Sequence, residues 1–92
     1  MPVKDKMFQP GTILHEVIDG AFRSAGSSFV KWCRENDVHP STARNATHGQ
    51  SAGDSGDKLR NRIINAAGRD VVMITYRKRM VMEAAKLEGA AA

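Results

Sequence analysis

The sequence predicts an all-α domain of four or five short helices. Apolar residues recur at helical spacing in three stretches: Ile13, Leu14, Val17, Ile18, Ala21 and Phe22; Leu59, Ile63, Ile64, Ala66 and Ala67; and Val72, Tyr76, Met80, Ala84 and Leu87. Residues that start or stop helices bound these stretches. Only residues 71–76, VVMITY, have the β-branched and aromatic character of a strand.

The 92 residues make one domain with a modest core. Residues 1–11 hold Pro2, Pro10 and Gly11 with little periodicity, and read as a flexible N-terminal arm. The first helix should start near Thr12, a good N-cap, and end at Gly26. Ser27 or Ser28 caps a second helix carrying Phe29, Val30, Trp32 and Cys33. A third starts near Pro40, whose missing N–H costs nothing in a first turn. Residues 49–56, GQSAGDSG, read as a loop. Asp54 or Ser55 then caps a fourth helix that Gly68 closes. Residues 70–92 read as a C-terminal helix, because the apolar stripe continues past residue 76, Asp70 can cap it and residues 80–88 are strong helix formers.

Residues 27–49, SSFVKWCRENDVHPSTARNATHG, are the most informative stretch. They read as a short helix, a tight turn and a second short helix closed by glycine. Cys33 and Ala43 are small where two helices must cross closely, and Val38 plugs the turn. The second helix carries Ser41, Thr42, Arg44, Asn45, Thr47 and His48, a polar face with no obvious core role. A short polar helix propped on another is the shape that enters a DNA major groove.

This spacing resembles the helix-turn-helix of the phage repressor and Cro family. That motif runs Thr-Gln-x-x-Leu-Ala-x-x-x-Gly-Val-Ser-x-x-Thr-Ile-Ser, with a Gly after the second helix. Ser28 stands at the Thr, Trp32 at the Leu and Cys33 at the Ala; Val38 and Thr42 match, and Gly49 takes the closing position. Phe29 replaces the Gln that usually touches phosphate, Asp37 the turn Gly, His39 the capping Ser and Ala43 the Ile. Asp tolerates the left-handed backbone that a turn Gly supplies, at some cost. The resemblance spans residues 12–67 and implies a helix-turn-helix domain over residues 12–69. It also implies a regulator of phage or phage-derived origin.

Arg44 can pair with guanine and Asn45 with adenine in the major groove. Pro40, Ser41 and Thr42 stand at the helix start, where family members touch bases. Ser28, Lys31, Thr47, His48 and the loop residue Ser51 are the phosphate candidates. Phe29 and Trp32 at helical spacing read as core rather than as stacking platforms for single strands. One motif per chain implies that a second subunit supplies the other half-site, so a homodimer is expected. The stripe Val72, Tyr76, Met80, Ala84 and Leu87 is the expected dimer contact.

Charge supports a polyanionic partner. The net charge is +4 and the pI about 9.6. Residues 23–69 alone carry +4, from Arg23, Lys31, Arg34, Arg44, Lys58, Arg60, Arg62 and Arg69 against Glu35, Asp37, Asp54 and Asp57. The lone Cys33 excludes an internal disulfide and fits a reducing cytosol. No membrane span or signal sequence is expected, which puts the protein in the cytoplasm, at the nucleoid. His15, His39 and His48 lack metal-ligand spacing, and the glycine-rich loop is no P-loop. Neither an enzyme nor a cofactor is therefore expected. Double-stranded DNA binding to regulate transcription is the leading function. The alternatives are an accessory DNA-binding protein of recombination or packaging, and a module that binds a transcription-machinery protein such as RNA polymerase.

Overall fold

The computed structural model describes residues 8–49 and 53–91. They form five helices: α1 Thr12–Ser24, α2 Phe29–Glu35, α3 Pro40–His48, α4 Asp54–Ala67 and α5 Arg69–Ala91. Among the described residues there is no strand, so residues 71–76 are helical. The expected all-α class with four or five helices is what the chain adopts. No described helix is long and apolar enough to cross a membrane.

α1 is the hub and touches each of the other four helices. Its buried stripe of Leu14, Val17, Ile18, Ala21 and Phe22 is the apolar face expected from spacing. Phe29 and Cys33 of α2, Ala43 of α3, Ile63, Ile64 and Ala67 of α4, and Val72 and Tyr76 of α5 complete the core. Val38, Trp32 and Leu59 pack half-buried at its margin. Ala66, expected on the same face, is exposed instead.

The α1–α2 and α2–α3 junctions are closely similar turns. After α1, Gly26 takes φ +80, its N–H donates to the Arg23 carbonyl at 3.0 Å, and the Ser27 N–H donates to the Phe22 carbonyl at 2.9 Å. After α2, Asp37 takes φ +56 and the Val38 N–H donates to the Cys33 carbonyl at 2.9 Å. Both are C-terminal turns that satisfy end carbonyls by passing through a left-handed residue. Asp37 does this with a Cβ, which costs roughly 1 kcal/mol relative to glycine.

Three helix starts differ from expectation, and one of them is α5, which begins at Arg69, ahead of its expected cap Asp70. Gly11 and Gly53 precede α1 and α4, with no side-chain cap, where Thr12 and Asp54 or Ser55 were expected. Residues 8–11 also depart from a flexible arm, while residues 1–7 lie outside the described residues. Phe8 is buried edge-on against Tyr76, with the Arg69 guanidinium over its ring, 5.4 Å from the centroid. The Gln9 N–H donates to the Tyr76 hydroxyl and the Gly11 N–H to the Thr47 carbonyl, each at 3.0 Å.

The expected dimer stripe on α5 is corrected at its first two positions. Val72 and Tyr76 are 0% and 4% exposed within the single chain, so they are core and cannot meet a second subunit. Met80 is 39% exposed and lines a cleft with residues 9–14 and Tyr76, and Ala84 and Leu87 are exposed beyond it.

Candidate nucleic-acid interface

α3 is held from four sides and open on the fifth. It packs on α1, α2 and α4, and the Gly11 N–H reaches its last turn. Ala43, Ala46 and Thr47 form its seat, each 0% exposed. Small residues there let α3 approach the other helices closely, as the Cys33–Ala43 crossing required. Its start is organised by Pro40 in the first turn and by His39, whose Nδ1 accepts from the Ser41 N–H at 3.3 Å. His39 thus serves as the N-cap at the position where the phage repressor motif has Ser. No carboxylate lies in the first turn, so the positive end of the helix dipole is uncompensated there.

Its end is fixed by Gly49 and Arg60. Gly49 takes φ +88, and a Cβ built there would lie 2.7 Å from Pro10 Cβ. Only glycine meets both demands. The Arg60 guanidinium donates to the Ala46 carbonyl at 3.1 Å and pairs with Asp57.

The outer face holds Ser41, Thr42, Arg44 and Asn45, all exposed, with Pro40 half-buried beside them. Ser41 Oγ lies 2.8 Å from His39 Nδ1. No carboxylate among the described residues pairs with Arg44. The five expected base-reading residues are therefore brought together on one side of one helix.

The phosphate candidates divide. Lys31 is exposed on α2. Ser28 caps α2 by accepting from the Lys31 N–H at 3.0 Å, which leaves its hydroxyl proton free to point outward. Ser51 lies outside the described residues. Thr47 is corrected: its side chain is fully buried, so it reaches no phosphate. Its hydroxyl donates to the Arg44 carbonyl at 3.0 Å and lies 2.9 Å from His15 Nδ1. Because that hydroxyl proton is spent on Arg44, Nδ1 of His15 carries a proton and donates to Thr47. His48 is half-buried and stacks on His15, with centroids 4.6 Å apart.

Burial is the main cause that holds the His15 pKa below its ordinary value; the His48 and Arg44 charges add to it, and Asp19 and Glu16 oppose it. Burial likewise pushes the Cys33 thiol up, with Arg44 opposing. Cys33 is fully buried in the helix crossing and acts as a small apolar residue.

The basic excess also divides. Arg23 pairs with Asp19, Arg60 with Asp57, Arg62 lies over the Trp32 ring, and Arg69 reaches Asn65 and Phe8. Lys31, Arg34, Arg44 and Lys58 have no ion-pair partner among the described residues. The unpaired cations of this segment thus lie on α2, α3 and α4. The roles of Arg60 and Thr47 were missed in the sequence, because both depend on partners far along the chain. Compared with protein-family models, curated proteins and solved structures, the chain gives no match.

Proposed function

We propose that this protein binds double-stranded DNA sequence-specifically to regulate transcription, with α2 and α3 acting as a helix-turn-helix and α3 lying in the major groove. One observation carries the reading. α3 is fixed by a buried seat of Ala43, Ala46 and Thr47, yet its whole outer face is polar and exposed. A helix held this firmly, with the Arg44 and Asn45 side chains exposed outward, is preorganised to contact base edges. Lys31 and Arg34 on α2 and its N-cap Ser28 supply DNA-backbone contacts that set the register. The likeness of residues 28–49 to the phage repressor motif supports a regulator of that descent.

Selection of bound sequences from a random duplex pool tests this. The proposal expects enrichment of a short motif that shifts when Arg44 is replaced. Enrichment without any sequence preference would favour an architectural role in recombination or packaging. No retention of duplex at low salt would favour a protein-binding module, consistent with Phe29 occupying the core where the family has a phosphate-touching Gln.

A further inference from the structure

We infer that His39 fixes the polarity of Ser41, so that Ser41 accepts a hydrogen bond from the exocyclic amino group of an adenine or cytosine in the major groove. This deepens the reading of DNA by α3, on which it rests: Ser41 sets specificity at one base pair, and His39 positions it. Both residues are exposed at the start of α3, clear of the core. In helices that enter the groove, the N-terminal residues are the ones that meet base edges.

The polarity follows from one nitrogen. His39 Nδ1 lies 3.3 Å from the Ser41 backbone nitrogen and 2.8 Å from Ser41 Oγ. The backbone N–H can only donate, so Nδ1 must accept, and the proton of the neutral ring sits on Nε2. The Ser41 hydroxyl meets the same bare nitrogen and donates to it. Both donors of residue 41 are thus spent on His39. Pro40, the residue before it, has no N–H to offer. The exposed side chain of Ser41 therefore presents outward only the lone pairs of its oxygen.

Arg44, also exposed and about one turn further along α3, brings donors only. The two side chains therefore ask opposite things of the DNA. In the major groove guanine N7 and O6 and thymine O4 accept, whereas adenine N6 and cytosine N4 carry amino protons. To donate to an acceptor, Ser41 would have to give up its 2.8 Å bond. Nδ1 of His39 would then keep only the longer backbone contact, inside an interface that has lost its water. Accepting from an amino group breaks no bond, and a hydroxyl that already donates is the better acceptor.

Functional-group deletion in the duplex selected by the full chain tests this. The base pair read by Ser41 is the one whose preference relaxes in Ser41→Ala. There, adenine is replaced by purine, or cytosine by pyrimidinone, which removes the amino group alone. The deaza analogue of that pair's purine removes the N7 acceptor alone. Loss of the amino group should weaken wild-type binding at least about fivefold more than it weakens Ser41→Ala, and loss of N7 should weaken both equally. His39→Gly keeps a tolerable N-cap without an acceptor, so it should abolish the amino dependence with far-UV circular dichroism unchanged. His39→Asn supplies a carbonyl acceptor and should restore it. In the free chain, nitrogen NMR shifts should show the neutral His39 ring protonated at Nε2 and bare at Nδ1. A proton on Nδ1, dependence on N7 in place of the amino group, or an amino dependence that survives His39→Gly overturns the inference and leaves α3 a reader of DNA. A Ser41→Ala chain that relaxes no base pair overturns it likewise. Failure of the wild-type chain to retain any duplex overturns the proposed function, and this inference with it.

Discussion

α3 and α5 each bury one side and expose the other, and their exposed sides differ in kind. The open side of α3 is Ser41, Thr42, Arg44 and Asn45; that of α5 is Val71, Ile74, Val81 and Met82. A polar face that keeps its water until a partner arrives suits a hydrated polyanion. An apolar row gains by losing its water and suits another protein surface. The two helices do not touch, so both surfaces can be used at once. The polar face and the apolar row thus belong to different helices of one small domain.

The comparison rests on α3 being rigidly seated, and the largest expected effect removes that seat. Gly49→Ala places a Cβ into Pro10 at a left-handed position and should cost about 2–4 kcal/mol in chemical denaturation. Stability within a few tenths of wild type would mean that residues 8–11 do not brace α3.

Thr47→Val sharpens the contrast between the two sides of α3. It keeps the shape but strips the hydroxyl from both the His15 and Arg44 contacts, at about 1–2 kcal/mol. Thr42→Val, on the exposed side, should leave the melting temperature nearly unchanged. Equal effects would erase the distinction between seat and reading face.

The same junction gives a pH dependence. The folded protein holds the His15 pKa below the value of about 6.5 that the unfolded chain has. The unfolded state therefore takes up a proton first. Stability from this site is intact above about pH 6.5 and declines as pH falls toward the folded-state value. His15→Gln should flatten that part of the stability profile in urea titrations at stepped pH. An unaltered profile would place the sensitivity elsewhere.

The smallest effect is a gain. Asp37→Gly should relieve the left-handed turn between α2 and α3, stabilising by about 0.5 kcal/mol after the added unfolded-state entropy. A loss would show that the Asp37 side chain contributes to the turn beyond its backbone angle.

These sites also show what the sequence could and could not disclose. Leu14, Ile18 and Phe22 were legible as core because a one-sided stripe leaves no choice of face. The α2–α3 turn was legible because Cys33, Val38, Ala43 and Gly49 each answer a local demand. α5 was legible as a helix but not in its facing, since apolar residues surround it and periodicity cannot say which side meets α1. Thr47 read as surface because a buried hydroxyl is recognisable only with its partner, and His15 lies 32 residues away. Phe8 was hidden in a proline-containing, non-periodic segment that Tyr76, 67 residues from Gln9 along the chain, pins in place.

The central claim is that the open face of α3 reads DNA, and Arg44 tests it most directly. Binding of the selected duplex is measured against salt for wild type and Arg44→Ala. Wild-type affinity should fall linearly on a log-log plot of affinity against salt. Arg44→Ala should lose about 1–3 kcal/mol of specific binding and relax the preference at one base position, with folding intact. A variant that binds the selected duplex as tightly and as selectively as wild type would contradict the account.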